Sequence, residues 1–579
     1  MNLKAIFPIL DWLPNYKKDW LKGDIGAGLT VGVMLIPQGM AYASIAGLPA
    51  VYGLYASIIP LLIYAIFGTS RQLAVGPVAM VSLLTATAIS SFQGLSIEQY
   101  VAYAILLALL VGIIQFLLGL FRLGFLVNFL SHPVVSGFAS AAALIIGLSQ
   151  LKSLLGIDIP RSHHINEILL NAYHKFDVIN WTSFAIGIAG IGVILIIKKI
   201  NKQLPSQLFA VIFGILVVIL FGLGSGDNAV KIVKEIPSSL PSFGIPNMDM
   251  ELIEMLLPMA ITIALVSFMQ SIAVAKSIQS KHRNYKVLPN QELIGLGLAN
   301  IFGSFFQSYP TTGGFSRTAV NDQAGAKTGL AAIISAVLIV ITLLFLTPLF
   351  YNLPKAILAS VIMVAVFGLI DYKEAIHLWK SNQTDFFLLL ITFFATLTIG
   401  IEKGIVLGVI LSLVLVILKT TRPHVAVLAN INGTHFYRNI VRFRDELVLK
   451  DDLLIIRFDA QLYFANVTFF KDKLEELVIE KGSKLKLIII DGESMNNLDS
   501  SGVHALIDII DLYQSKGIEI AFSGMKGPVR DTMQKGGVID RIDFDNCFMS
   551  IQEAVDCYEN KCNNIPTKKK FNKFIEQTN

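Results

Sequence analysis

The run Ala102–Phe121, AYAILLALLVGIIQFLLGLF, carries no charged residue, and neither does Gly329–Phe350, GLAAIISAVLIVITLLFLTPLF. A helix rises ~1.5 Å per residue, so each run is long enough to cross a hydrocarbon layer ~30 Å thick. The rest of the chain is of the same kind. Of its 579 residues 54% are hydrophobic and 15% charged, with a mean hydropathy of +0.66, whereas an ordinary globular domain is about a quarter charged. That apolar surplus has to face lipid. The predicted architecture is an α-helical polytopic membrane protein of about fourteen transmembrane segments, some broken by Gly and Pro.

Composition changes once, near Lys419. From there KTTRPHVAVLANINGTHFYRN opens a stretch of charges and short alternating runs. The expected division is a cytoplasmic amino-terminal segment, 1–22; a transmembrane domain, 23–421; a cytoplasmic domain, 422–565; and a basic tail, 566–579. The amino terminus is interrupted by Pro8, Asp11 and Pro14 and lacks a small-residue cleavage site, which argues against a cleaved signal. Lysine and arginine gather around Lys17, Arg71, Arg122, Lys198 to Lys202, Lys276 to Lys286 (Arg283 included), Lys373, Lys380 and Lys419. Fourteen spans with a cytoplasmic start put all of these on one side, so both termini are expected in the cytoplasm and the Gly222–Met250 link outside the cell's cytoplasmic membrane. Cys547, Cys557 and Cys562 are expected to be free thiols of a reducing compartment, because a Cys-x4-Cys pair without further ligands is a poor zinc site. The modest charge of +5 and the tail KKKFNKF suit a solvated or lipid-facing segment, and no nucleic-acid partner is expected.

The two halves rhyme. GLTVGVMLIPQGMAYA and MAITIALVSFMQSIAVA each hold a glutamine followed by spaced alanines: Gln38, Ala41 and Ala43 in one, Gln270, Ala273 and Ala275 in the other. Further on in each half comes a break, AVGPVAMVSLL and TTGGFSRTAV. Repeated halves with discontinuous spans are the pattern of transporters that bind substrate near the bilayer midplane. Irregular backbone survives at that depth only where protein buries it or a wet cavity adjoins it. A half-helix starting at Pro77 or Phe315 would aim free N–H groups and a positive dipole end at an anion, with Pro77 suited to a first helical turn.

LTVGVMLIPQGMAYASIAGLPAVYGLYAS, TSRQLAVGPVAMVSL, SHPVVSGF and NIFGSFFQSYPTTGGFSRTAVNDQAGAKT together resemble the SulP family of anion transporters, over about Lys17 to Asp556. The resemblance implies two inverted repeats of seven spans, a core domain moving against a gate domain, and a homodimer. It implies that Gly314, Phe315 and Ser316 form the entrance of the tenth span and Val75, Gly76, Pro77 and Val78 that of the third. Ser316 can donate a hydroxyl to an oxyanion. Arg317 adds positive potential, with a salt bridge or carbonyl clamp as its other reading. Gln38 and Tyr42 complete the pocket, Tyr42 with a packing role as the alternative. Gln270 departs from the family pattern: many members carry a carboxylate there for the coupling proton or a sodium ion, and a neutral amide cannot exchange a proton near pH 7. Asp24, Glu251, Glu254 and Glu402 are expected at helix ends, and His132 is either a hydrogen-bonded structural residue or a proton relay.

After Lys419, DDLLIIRFDAQLYFANVTFFKDKLEELVIE and LKLIIIDGESMNNLDSSGVHALIDIIDLYQSKG read as strand–helix units of a small α/β domain, which resembles a STAS domain. Its signature loop is Asn497 to Gly502. There Asp499 and Ser500 fit a helix cap, while by resemblance Ser500 or Ser501 is a phosphorylation candidate through which a cytoplasmic protein partner would act.

The function these features imply is secondary transport of a small inorganic or organic anion by alternating access. Sulfate is first, as the family's namesake, with bicarbonate, chloride and dicarboxylates also in range. An uncoupled exchanger, a channel-like conductor and a nucleobase transporter of the same fold are the alternatives. No Walker loop, H-E-x-x-H or G-x-S-x-G appears, so no enzyme is expected. No cofactor or metal is expected, and H+ or Na+ is left open as coupling ion.

Overall fold

A computed structural model describes residues 6–560 except 91, 93, 126–130, 158–164, 202–203, 226–228, 283–284, 369, 444–446 and 543–545. Lys202, Arg283, Cys562, the side chain of Glu402 and the tail 566–579 lie outside the described residues. The chain divides into two compact units, Met1–Ser412 and Leu413–Asn579.

The membrane helices run in chain order α1 (Lys18–Ala46), α2 (Val51–Phe67), α3 (Ala79–Ser90), α4 (Ile97–Leu120), α5 (His132–Leu154), α6 (Trp181–Ile200), α7 (Ser206–Leu220), α8 (Met250–His282), α9 (Pro289–Ser304), α10 (Phe315–Gln323), α11 (Leu330–Phe350), α12 (Lys355–Phe367), α13 (Gln383–Thr398) and α14 (Ile401–Thr421). Among the described residues eight stretches, with α12 taken on to Ser381, are long and apolar enough to cross a membrane. Another four, α2, α3, α7 and α13, are shorter apolar helices, and α9 and α10 complete the set. Of the short ones α3 is covered by other protein: every residue from Ala79 to Ala86 is buried.

Two groups of helices emerge from which surfaces touch. The first is α1–α4 with α8–α11; the second joins α5–α7 to α12 and α13. In the first group α4 and α9 cross with their backbones nearly in contact, since a Cβ at Gly112 would sit 2.7 Å from Ile301 N and one at Gly297 2.5 Å from Phe116 N. Small residues at such crossings are how helices associate in lipid, where no hydrophobic force drives them together.

Two short strands, β1 (Val75–Gly76) and β2 (Thr312–Gly313), pair antiparallel, Val75 opposite Gly313 and Gly76 opposite Thr312. One leads towards α3 and the other into α10, which are the third and tenth helices and so hold the same place in each set of seven.

The second unit is an α/β domain. Its sheet is ordered β4 (Tyr437–Asn439), β3 (Val425–Ile431), β6 (Leu453–Phe458), β7 (Leu487–Asp491), β8 (Glu519–Ser523) and β9 (Cys547–Phe548), with β5 (Leu447–Val448) also on β3. From β6 to β9 the pairs are parallel, while β3 pairs antiparallel with β6. Alternate strand residues feed two apolar layers. Ile456, Ile488, Ile490 and Phe522 meet α15 (Val467–Lys481) and α16 (Ser500–Ser515), and Ile455, Ile489 and Ala521 meet the terminal helix Ile551–Asn560. Cys557 on that helix is disulfide-bonded, which corrects the expectation of a free thiol, whereas Cys547 is free and half-buried. Burial pushes the Cys547 thiol up to about 11.

Candidate functional site

The strand pair is gripped from behind by side chains whose polar atoms are consumed by it. Thr312 donates its hydroxyl to Ser267 O at 2.7 Å, so Ser271 donates to Thr312 Oγ1, also at 2.7 Å, while accepting the Gly313 N–H at 2.8 Å. Asn300 accepts from Thr311 N at 2.8 Å and donates to Thr311 O at 3.1 Å. Gln115 donates to Ser267 Oγ at 2.8 Å, bracing α4 against α8. On the other side Ala74 donates its N–H to Thr318 Oγ1 and accepts from Gly314 N, both at 3.0 Å. The buried backbone of the strand pair is thus satisfied by protein, as a water-poor setting demands.

In front of the clasp the accounting differs. Arg317 is 1% exposed, and one of its nitrogens, Nη1, donates to Pro77 O at 2.7 Å and faces Gln38 Oε1 at 3.5 Å. Its Nε and Nη2, and Nε2 of Gln38, are buried without a partner. No carboxylate pairs with this guanidinium among the described residues. Three unmet donors around a buried cation form a place where charge and hydrogen bonds both call for an anion. Gly314 makes the fold of the arginine possible, because a Cβ there would lie 2.9 Å from Arg317 Cζ and Nη2. Gly76, with φ 149°, stands beside Nη2 in a backbone conformation few other residues adopt.

Tyr42 is buried within electrostatic reach of Arg317. Val75 and Val78 are buried, flanking the Gly76–Pro77 break. Phe315 and Ser316, in the first turn of α10, are exposed. Gln270 is half-buried on α8, one residue before Ser271, with its Oε1 buried and unpartnered. Pro77 corrects the expectation of a helix start: α3 begins at Ala79, and what Pro77 contributes is its carbonyl, given to Arg317.

Other placements were not legible. Tyr309 is 1% exposed, lies within electrostatic reach of Arg317 and Tyr42, and has its hydroxyl 3.1 Å from Ser82 Oγ. Glu292, in the first turn of α9, is fully buried and accepts from Tyr64 and Thr69 hydroxyls and from Thr69 and Ser70 N–H groups. Asp24 is likewise fully buried in the second turn of α1, where it ties Tyr16 to Lys327 and Thr328, a grip that its placement near a helix end did not suggest. Glu251 lies in the first turn of α8 and Glu254 on the next, both exposed. His132 is exposed and pairs with Glu374 at 3.2 Å. Among the described residues no three His, Cys, Asp or Glu side chains gather as a metal site.

In the second unit Asp499 is the cap of α16: its carboxylate accepts from Gly502 N at 2.8 Å and Phe464 N at 2.9 Å. Ser500 follows it, exposed, and Ser501 is half-buried. Nearby, at the carboxyl ends of the parallel strands, Asp459 accepts from Arg457 Nε at 2.6 Å, His424 Nδ1 at 2.8 Å and Ser494 Oγ at 3.1 Å. Burial pushes Asp459 upward, but the hydrogen bonds from Arg457 and His424 outweigh it and hold the carboxyl below the usual carboxylate range. Burial raises Asp491, on the neighbouring strand end, above that range.

Fourteen helices among the described residues, two of them entered from a strand clasp beside a buried arginine, and an α/β domain after them define a polytopic helical membrane protein with a carboxyl-terminal α/β domain. The particulars follow from comparison. Residues 21–392 match the sulfate permease family and 444–554 the STAS domain. Two Arabidopsis thaliana proteins, probable sulfate transporter 4.2 and the chloroplastic sulfate transporter 4.1, are each 40% identical to this chain, covering 96% of it and 83% and 82% of the relatives. The murine solute carrier 26 family member A9 anion transporter, solved in the inward-facing state, superposes with a TM-score of 0.89 at 27% identity, over 96% of this chain and 94% of that one. The chain belongs to the sulfate permease family.

Proposed function

We propose that this transporter carries a small oxyanion, sulfate foremost, by alternating access, and that it binds the anion between the entrances of α3 and α10. The observation that supports this most directly is Arg317, buried with two of its nitrogens unmet beside the unmet amide of Gln38. Tyr42, the α10 entrance Gly314–Phe315–Ser316 and the break Val75–Val78 border the same place. In this reading the group α1–α4 with α8–α11 moves the pocket past the other group, the protein acts as a homodimer in the cytoplasmic membrane with both termini in the cytoplasm, and a cytoplasmic partner acts on the STAS domain through Ser500 or Ser501.

Gln270 favours a second reading of the energetics. With an amide where the resemblance implies a carboxylate in many members of the family, proton uptake at that point is lost, so exchange against a second anion, without H+ or Na+, is the mode the residue supports.

The test is uptake of radiolabelled sulfate, bicarbonate and fumarate into proteoliposomes, with an inward H+ or Na+ gradient or an internal counter-anion. Ser316→Asp should abolish uptake with expression intact, because it sets a negative charge against the anion; normal uptake in that variant would remove the site assignment. Uptake driven only by counter-anion supports exchange, and stimulation by either cation gradient refutes it.

A further inference from the structure

We propose that Tyr309 and Ser82 are a positioning pair that sets the gap between the two broken-helix arms, and with it the size of anion the pocket accepts; this rests on the site reading above. The ties already described, β1 with β2, Ala74 with Thr318 and Gly314, and Pro77 with Arg317, all hold the segment ahead of α3. They stop short of the helix itself. Ser82 is in the first turn of α3, its N–H donating to Val78 O at 2.9 Å, and its hydroxyl is the group that meets Tyr309 at 3.1 Å.

Tyr309 stands on the fixed side. It lies between α9 and β2, in a segment turned by Ser308 N donating to Gly303 O at 3.0 Å and anchored two residues later by the grip of Asn300 on Thr311. The phenol is a rigid spacer with few rotatable bonds, and both partners are shut away from solvent, Tyr309 at 1% and Ser82 at 0% exposure. A buried hydroxyl pair of this kind holds one distance, because breaking it leaves two polar groups unmet. Ser82 N–H is bonded to the carbonyl of Val78, the last residue of the α3 entrance, so the distance the pair holds is a dimension of the pocket. The Tyr309 hydroxyl is engaged by Ser82, and the role of Tyr309 in this proposal is that of a positioning residue.

The experiment uses the full chain in proteoliposomes, with Tyr309→Phe, Ser82→Ala and the double variant. The readouts are KM and Vmax for radiolabelled sulfate and the competing strengths of chloride and fumarate. The phenylalanine keeps the ring and removes one hydrogen bond, so KM should rise about three- to tenfold with Vmax changed by less than about twofold. The double variant should be no worse than either single one, and the order of competitors should shift in favour of the bulkier fumarate. Unchanged KM and competitor order overturn the proposal. A lower Vmax with both of those unchanged also overturns it, as a merely structural bond. Arg317→Lys in the same vesicles separates the two levels: uptake like wild type there refutes the site reading, whereas lost uptake with a normal Tyr309→Phe refutes the pair alone.

Discussion

Thr69 donates both its backbone N–H and its hydroxyl to one carboxylate oxygen of Glu292, each at 2.6 Å. With Ser70 N at 3.2 Å on the same oxygen and Tyr64 Oη at 2.6 Å on the other, one buried side chain locks the turn after α2 onto the start of α9. The turn leads directly into β1, so this lock stands behind the clasp at one remove. Glu292→Ala would leave four buried donors unmet and should cost about 3 kcal/mol or more. A large drop in the thermal midpoint of the detergent-solubilised protein checks it; a midpoint unchanged from wild type would show the lock carries no stability.

Glu292 also marks a limit of reading sequence. PNQEL looks like an ordinary helix start, with an acid in the first turn where the dipole favours it, and nothing in those letters says that a loop more than two hundred residues earlier closes over it. Tyr309 was hidden in the same way, its meaning residing in a distant serine. The burial of Arg317 was legible in part, because a charge close behind a pair of glycines in an apolar chain is costly to place and singles itself out, and the structure does bury it against Pro77 O. The helical membrane architecture was legible for a related reason: lipid permits so few solutions that long uncharged runs dictate the fold. Pro77 was half legible. Its break was clear, while the use of its carbonyl depended on where a side chain from the other half arrives.

Gln270→Glu tests the energetics. A carboxylate there, one residue before the Ser271 that holds β2, would oppose the substrate when ionised and would be partly neutralised by the apolar surroundings. Sulfate uptake at pH 7.5 is expected to fall about tenfold or more and to recover on acidification, giving a pH dependence that the glutamine protein lacks. Flat uptake against pH in both proteins would show that position 270 is uninvolved.

The STAS cap and the phosphorylation candidate separate cleanly. Asp499→Ala removes the acceptor for Gly502 and Phe464 N–H groups and should destabilise α16 by about 1 kcal/mol, seen as faster hydrogen exchange in that helix. Ser500→Asp keeps the cap and adds a negative charge beside it. If a phosphate there regulates transport, this variant should change the uptake rate with exchange in α16 unaltered, and an unchanged rate would argue for capping alone.

Asp459 gives the second unit a pH response of known sign. Its folded-state pKa is depressed, so its contribution is complete above the ordinary carboxylate range and disappears as pH falls through the folded value. Asp491, raised by burial, acts in the opposite sense and resists acid. Protection from hydrogen exchange in β6 should therefore weaken on acidification below the carboxylate range, and Asp459→Asn should start lower and decline less over that window. An equal decline in both proteins would place the acid sensitivity elsewhere.

The unpaired guanidinium has an electrical consequence. If Arg317 lines the proposed anion pocket, with no carboxylate paired to it among the described residues, the unloaded pocket would carry one elementary charge, and displacing such a charge through the membrane field involves up to about 2.3 kcal/mol per 100 mV. On that proposal a voltage negative inside would draw the unloaded pocket inward, while a monovalent passenger would cancel that pull and a divalent one would reverse it. Membrane potential becomes a means of weighing which ion is aboard.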